Sequence, residues 1–223
     1  MARESISKDE LKRDPFQEWM FQAIDYVHKR RRRFIAGGVA LVAVVGTAGG
    51  LVLNQRMTAQ AMADAFNEVE GIFHDRELPK AERVGKSRVG LKAYLLDYRD
   101  SALAPYAWMH LAALAIEDQD PAEAEKAYRA VIDNSGASSS LVVIAQIALA
   151  KLREDSGQLA ESSEIYRSIP PDRYGDLAAL SLGRIALEEH NVEEARAQLE
   201  IVSQQYPDSS LAAQAQQALF YLR

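Results

Sequence analysis

The hydrophobic pattern of the chain is dominated by one apolar run, from Phe34 to Leu53. It reads FIAGGVALVAVVGTAGGLVL, which is twenty residues without a charge. At about 1.5 Å of rise per residue, a helix of this length spans about 30 Å, the thickness of a bilayer's hydrocarbon core. A helix also satisfies its own backbone hydrogen bonds where no water is present. The pattern therefore predicts one transmembrane helix at residues 34–53.

A cationic run stands directly before this helix. Cytoplasmic flanks of membrane helices are enriched in lysine and arginine. We therefore expect a cytoplasmic tail at residues 1–33, a signal anchor at 34–53 and a domain on the far side of the membrane at 54–223. The residues expected to set this topology are Lys29, Arg30, Arg31, Arg32 and Arg33.

The tail contains the pattern of a short amphipathic helix. Asp14 and Gln17 stand where a capping box needs them, and Pro15 suits a first helical turn. An apolar stripe at helical spacing follows. Such a helix lies on the inner membrane surface, docks on a partner or extends the membrane helix, and the sequence leaves these alternatives open. The stripe consists of Phe16, Trp19, Met20, Ala23 and Val27.

Small residues recur along one side of the apolar run. They let a second helix approach closely, so they favour a helix partner in the bilayer, which includes a second copy of the chain. Alanine and glycine are also common in ordinary membrane spans, which is the simpler interpretation. The candidate packing residues are Ala36, Ala40, Ala43, Gly46, Thr47 and Gly50.

A secretory signal peptide is the competing interpretation of the apolar run. Ala59-Gln60-Ala61 resembles a cleavage site, and cleavage there would leave a chain that begins at Met62. The run is about twice as long as many signal-peptide cores, and a long segment precedes it. These features favour an uncleaved anchor.

From Thr58 onward the apolar residues follow a helical period, and no alternating stretch indicates a strand. Proline, glycine and asparagine mark the breaks between helices. The predicted helices are 58–74, 80–98, 103–117, 121–133, 139–154, 158–168, 174–189, 192–206 and 209–222.

Three pairs of these helices share one spacing of residue types. On the first helix of each pair, a leucine is directly followed by a small residue. Counted from that small residue, a second small residue comes 12 positions later and a large residue 16 positions later. The small residues let the two helices approach, and the large residue fills the space beyond. The segments 120–123 and 191–194 between paired helices are predicted to form capping boxes.

This pattern resembles the tetratricopeptide repeat (TPR), a helix–turn–helix unit of about 34 residues. A degenerate repeat with Leu91 at the large position precedes the three, and the segment Ser209 to Leu222 is expected to cap the last pair. The predicted fold is all-α, with a single transmembrane helix followed by a TPR-like helical-hairpin solenoid of about four repeats plus a capping helix. The residues expected to pack the repeats are Trp108, Leu111, Ala112, Ala124, Tyr128, Leu149, Ala150, Tyr166, Leu182, Gly183, Ala195, Leu199 and Pro207.

Charge and composition narrow the range of functions. The net charge of −6 divides into +3 for residues 1–33 and −9 for residues 54–223. An acidic domain argues against nucleic-acid binding, which needs a basic face. The chain has no cysteine, and its four histidines lie outside any known ligand motif. We therefore predict no enzymatic activity, no catalytic or metal-ligating residues and no cofactor.

The architecture resembles the YfgM family, the ancillary subunit of the bacterial Sec translocon. The closest stretch runs from Leu177 to Arg184 and from Val192 to Leu199. The resemblance implies a single-pass inner-membrane protein whose periplasmic TPR-like domain binds the translocon, periplasmic chaperones or client chains. The alternatives are a TPR scaffold of another envelope assembly, such as a pilus, divisome or secretion machine, and a secreted soluble repeat protein.

Overall fold

The computed structural model describes residues 15–134 and 136–222, which contain helices and no strand. The chain divides into two compact units, Met1–Gln60 and Ala61–Arg223. In chain order the helices are α1 (Pro15–Lys29), α2 (Arg31–His74), α3 (Lys80–Asp97), α4 (Ala104–Glu117), α5 (Pro121–Ile132), α6 (Ser139–Asp155), α7 (Leu159–Arg167), α8 (Gly175–Glu188), α9 (Val192–Gln205) and α10 (Ala212–Tyr221).

The all-α prediction is confirmed, and α3 to α10 begin and end close to the expected residues. One expectation is wrong. A separate helix was expected to begin at Thr58, but α2 continues without a break from Arg31 to His74. The intervening segment, Asn54 to Met57, contains no proline or glycine, so nothing in it interrupts a helix. The Thr58 hydroxyl donates a hydrogen bond to the carbonyl of Asn54 at 2.9 Å, which a continuous turn allows.

The first unit exposes an apolar helix. The side chains of residues 39–53 are exposed, and α2 is long and apolar enough over Val39–His74 to cross a membrane, since it contains an 18-residue stretch with a mean hydropathy of 1.4. The hydroxyl of Thr47, a polar group in this segment, donates to the carbonyl of Ala43 at 2.8 Å. The helix therefore satisfies this polar group internally, as an apolar environment requires.

The second unit is a series of helical hairpins. The hairpins α4–α5, α6–α7 and α8–α9 follow one another, and each also packs against the next. A first core cluster centres on Leu91, Leu111 and Leu149, and two smaller clusters continue it toward α10. Helix α10 packs on α9, where the sequence predicts a capping helix. The capping helix begins at Ala212 rather than Ser209, because Ser209 lies in the preceding turn and its hydroxyl donates to Asp176 at 2.5 Å.

The turns inside the three hairpins have one geometry. Gln119, Gly157 and His190 each lie eight residues after the repeat leucine and each adopt a positive φ, of 58°, 73° and 59°. A left-handed residue at the end of a helix reverses the chain and lets the last carbonyls be paired. Only Gly157 adopts this conformation without the steric cost of a side chain.

The expected capping boxes form only in part. Asp120 and Asn191 do accept a hydrogen bond from the backbone amides of Glu123 and Glu194, at 3.0 and 3.1 Å. The backbone amides of Asp120 and Asn191, however, donate to carbonyls of the preceding helices at 2.8 Å rather than to the glutamates. The reciprocal half of each box is therefore absent, because the tight turn has already satisfied that amide.

Candidate protein-binding face

Helix pairing leaves one face of each first helix available. In the last hairpin, a methyl group added to Gly183 on α8 would lie 3.0 Å from Leu199 Cγ on α9. In the first, Ala112 on α4 and Ala124 on α5 are both fully buried. The small residue of each of these first helices thus faces its partner helix, and the repeat leucine directly before it is buried in the core.

The side of each first helix opposite the repeat leucine carries a regular row of residues. Residues at positions −5, −2, +2 and +5 from the repeat leucine lie about 180° from it around a helix of 3.6 residues per turn. We name these twelve residues the inner row. They are Tyr106, Met109, Ala113 and Ile116 on α4, Ile144, Ile147, Lys151 and Glu154 on α6, and Leu177, Leu180, Arg184 and Leu187 on α8.

Large apolar side chains form most of the inner row. Tyr106, Ile116 and Ile144 are 44%, 47% and 39% exposed, although each lies beside a packed core. Met109 and Ile147 are half-buried against the first and second core clusters. Partly exposed apolar side chains held in place by a core offer a preformed surface on which another apolar side chain loses water.

An ionic cluster joins the inner rows of α6 and α8. The carboxylate of Glu154 is 5% exposed and accepts hydrogen bonds from Arg184 at both of its oxygens. Lys151 Nζ lies 2.7 Å from Glu154 and 2.9 Å from Asp155. Burial acts to raise the pKa of Glu154, but the hydrogen bonds and charges of Arg184 and Lys151 outweigh it and lower the pKa. Glu154 therefore stays ionised and holds both cations in the row.

A small cavity of about 390 Å³ opens between α3, α4 and α5. Leu95, Leu96 and Trp108 supply its apolar lining, and Leu96 is 81% exposed. At its rim Lys92 forms an ion pair with Glu123 at 2.6 Å. The cavity has room for an apolar side chain and lies away from the inner row.

A family model described as a tetratricopeptide repeat-like domain matches residues 32–173, more than half of the chain. The chain belongs to this family. Comparisons with curated proteins and with solved structures found no significant match. The matched residues of the TPR-like family include the apolar run and the first two of the three regular hairpins. TPR-like domains are protein–protein interaction modules, and no catalytic family is indicated for the chain.

The structure brings most of the predicted repeat-packing residues together in the core. Trp108 is only half-buried, and Pro207 is exposed in the turn after α9. Pro207 and Trp108 therefore contribute less buried surface than the TPR pattern implies. The buried members are Leu111, Ala112, Ala124, Tyr128, Leu149, Ala150, Tyr166, Leu182, Gly183, Ala195 and Leu199.

The predicted membrane residues lie on exposed helical surface. A methyl group added to Gly46 or Gly50 would have no atom within 4 Å, so nothing in the described residues covers this side of the helix. Arg30 donates to the Tyr26 hydroxyl at 3.2 Å, and Lys29 pairs with Asp25 at 2.7 Å. The side chains of Gln17, Val27 and Arg33 and all of Asp14 lie outside the described structure. The exposed members are Lys29, Arg30, Arg31, Arg32, Ala36, Ala40, Ala43, Gly46, Thr47 and Gly50.

Sequence reasoning missed one buried serine of the repeat. Ser87 on α3 is fully buried, as is Ser162 on α7, which the repeat spacing places at the small position of the middle hairpin. Ser87 lies 108 residues before Ala195, at the small position of the degenerate repeat. Applying the 12-residue and 16-residue spacing backward from Leu91 would have found it. The sequence favours the exposed parts of 103–117, 139–154 and 174–189 as a binding groove but the individual residues of the inner row were not identified, although their constant offset from the leucines is visible in the sequence.

A second titratable cluster lies where α2 meets α4. The Nε2 atoms of His110 and His74 are 3.8 and 4.0 Å from Glu70 Oε1. The ring of His110 packs 4.4 Å from that of Phe73. Burial lowers the pKa of His110 and nearby His74 adds to this, while Glu70 opposes it. No group of three or more potential metal-ligating side chains is arranged for a metal ion within the described residues.

Proposed function

We propose that the chain is a membrane-tethered protein-interaction module that serves as an ancillary subunit of the bacterial Sec translocon. In this proposal residues 1–33 are cytoplasmic, residues 34–53 cross the inner membrane and residues 54–223 form a periplasmic TPR-like domain. The observation that supports it is that one family model matches residues 32–173, which include both the apolar run and the first two regular hairpins. The apolar run and the TPR-like hairpins thus lie within one family match, which supports an interaction domain tethered by that run.

The inner row is the proposed binding surface for chaperones or emerging clients. Its apolar half, at Tyr106, Ile116 and Ile144, would take apolar side chains of a bound segment. Its ionic half, at Lys151, Glu154 and Arg184, would position polar groups of the same segment. A mixed surface of this kind selects for a pattern of side chains rather than for hydrophobicity alone.

Tethering explains how a modest surface can be effective. A module held beside the channel exit meets its partner at a high effective concentration, so that weak contacts suffice. The acidic charge of residues 54–223, −9 in total, would also speed the approach of cationic segments at low salt. Binding is therefore expected to be fast, reversible and sensitive to ionic strength.

Site-specific photo-crosslinking tests the proposal. A photo-crosslinking amino acid is placed at Leu51 on α2 and at Ile144 in the inner row, with exposed Glu164 on α7 as the matched control. We expect Leu51 to crosslink to the translocon channel and Ile144 to a chaperone or client. Glu164 should give neither product. The proposal fails if the channel is absent among the Leu51 products.

A TPR scaffold of another envelope assembly remains the second candidate. This candidate is supported if the photo-crosslinker at Leu51 reacts mainly with a component of a pilus, divisome or secretion machine. A mature N-terminus at Met62, measured by mass spectrometry, would instead identify a secreted protein without an anchor. Self-association through Gly46 and Gly50 is compatible with either tethered form, and Gly46→Leu should weaken it if those glycines form the contact.

A further inference from the structure

Helix α1 and the cationic junction after it form a second exposed surface. Two rings, Phe16 and Trp19, are 64% and 65% exposed, and their centroids are 6.2 Å apart. At 100° per residue, Met20 and Ala23 lie on the same side of the helix as these rings. Asp25 and Lys29, which form an ion pair, lie on the other side of the helix. The described side chains therefore form an amphipathic helix with an aromatic end.

The junction with α2 concentrates positive charge. His28, Lys29, Arg30, Arg31 and Arg32 line one cavity of about 480 Å³. Lys29 is neutralised by Asp25 at 2.7 Å. No carboxylate of a described residue lies within ion-pair distance of the three arginines. Arg30 is instead held over the ring of Tyr26, with its Cζ 4.9 Å from the ring centroid. The cavity therefore presents three arginines whose charges are not offset by a described acid.

We propose that α1 lies on the anionic phospholipid surface of the membrane that α2 crosses, with lipid phosphates bound at the Arg30–Arg32 junction. The apolar run begins within two residues of this junction, so the arginines stand at the depth of the headgroups. Guanidinium groups bind phosphate oxygens through paired hydrogen bonds. The aromatic end of α1 would lie at the boundary between headgroups and acyl chains, where tryptophan is favoured.

This inference rests on the membrane placement proposed above but is independent of the translocon. It assigns to the tail a lipid partner that the TPR-like family does not imply. The group that the arginines would bind is the phosphodiester of anionic lipids such as phosphatidylglycerol. A free phosphate ion would use the same arginines but not the aromatic end, so the two are separable by experiment.

Tryptophan fluorescence of the full chain in reconstituted vesicles provides the test. The chain has two tryptophans, so Trp108→Phe leaves Trp19 as the single probe. The vesicles consist of phosphatidylcholine alone or of phosphatidylcholine mixed with phosphatidylglycerol, and brominated lipids serve as quenchers. We expect Trp19 emission to be blue-shifted and strongly quenched only when phosphatidylglycerol is present. High salt should weaken this effect, because it screens the arginines from the surface.

A charge variant and a matched control complete the design. Arg30→Gln/Arg31→Gln/Arg32→Gln should reduce the ratio of docked to undocked α1 by roughly a hundredfold, since each basic residue contributes about a factor of five at an anionic surface. Arg99→Gln/Lys126→Gln/Arg167→Gln removes the same charge from exposed positions of the second unit and should change nothing. Circular dichroism verifies that both variants retain their helices.

Three results would overturn the inference. The first is Trp19 emission that is equally blue-shifted with and without phosphatidylglycerol, or that stays at the wavelength of water-exposed indole in both. The second is an unchanged response in the triple arginine variant. The third is complete reversal by millimolar inorganic phosphate, which would identify an ion site rather than a membrane surface. Failure of the translocon crosslinks alone, with these lipid results intact, would leave this inference standing.

Discussion

Gly183 on α8 faces Leu199 on α9 so closely that a methyl group added to the glycine would lie 3.0 Å from Leu199 Cγ. Leu199 is 2% exposed and is held by the third core cluster. The backbone carbonyl of Ala195 would lie 3.5 Å from the same methyl group. The close approach of the two helices therefore depends on the absence of a side chain at position 183.

Gly183→Ala is expected to destabilise the second unit by about 1–2 kcal/mol, because the overlap with Leu199 exceeds the gain in helix propensity. Gly85→Ala is the matched control, since a methyl group there meets no atom within 4 Å. That control should stabilise α3 by about 0.5–1 kcal/mol. Thermal unfolding of the full chain in detergent, followed by circular dichroism, measures both. Equal effects of the two substitutions would contradict the packing described for α8 and α9.

The two capped turns give a second prediction. Asp120→Ala and Asn191→Ala each remove the acceptor of a first-turn amide and should cost about 1 kcal/mol. Gln158 occupies the corresponding position of the middle hairpin but caps nothing; its side chain accepts from Arg153 at 2.6 Å. Gln158→Ala should therefore cost less than either of the other two. The ranking is read from chemical denaturation of the three variants, and a larger loss for Gln158→Ala would refute it.

Glu154 is expected to make the stability of the second unit depend on acid pH. Because its folded-state pKa lies below the ordinary value of 4.5, its contribution is fully present above that pH. The contribution is lost as the pH falls from 4.5 through the folded pKa. Glu154→Gln should cost about 1–3 kcal/mol at neutral pH by weakening charge-assisted hydrogen bonds, and should remove this part of the acid dependence.

Exposed Glu188 serves as the control for Glu154. It also lies near Arg184, at 3.5 Å, but water screens the pair. Glu188→Gln should change the stability by less than about 0.5 kcal/mol and leave the acid profile unaltered. The free energies of unfolding of both variants are measured by denaturation at a series of pH values from neutral to below 4.5. Indistinguishable profiles for the two variants would show that Glu154 has no special role.

His110 is expected to make the stability of the second unit depend on pH over a different pH range from that of Glu154. Its folded-state pKa lies below the ordinary value of 6.5, so the folded state binds a proton less readily than the unfolded chain. Acidification from pH 6.5 toward the folded pKa should therefore lower the stability. His110→Gln should remove this loss of stability, while the loss below pH 4.5 that Glu154 causes should remain. Persistence of the loss in the variant would show that His110 does not cause it.

Local signals in the sequence predicted the helices because the breaks are local. Pro79, the Asp120-Pro121 pair and Asn191 each end or begin a helix through their own backbone chemistry, and the observed bounds follow them. The continuity of α2 was not predicted, because the apolar residues 34–53 and the more polar residues 58–74 differ in composition as two separate helices would. Composition changes the environment of a helix without interrupting its hydrogen bonds.

The ionic cluster could not be predicted from local signals. Glu154 and Arg184 are 30 residues apart, and each alone resembles an ordinary surface charge. Their pairing depends on the packing of two hairpins, which brings position +5 of one inner row to position +2 of the next. The repeat register, once established, places both residues on the same face, so the signal exists only at the level of the repeat.

The membrane topology of the TPR-like domain is the central claim, and cysteine labelling tests it most directly. The chain contains no cysteine, so Ser7→Cys and Ser210→Cys each provide a single reactive site without background. A membrane-impermeant maleimide is added to bacterial cells whose outer membrane alone has been made permeable. The account predicts labelling of the Ser210→Cys variant in these cells, and labelling of the Ser7→Cys variant only after the inner membrane is broken. Labelling of Ser7→Cys in unbroken cells, with Ser210→Cys protected, would contradict it.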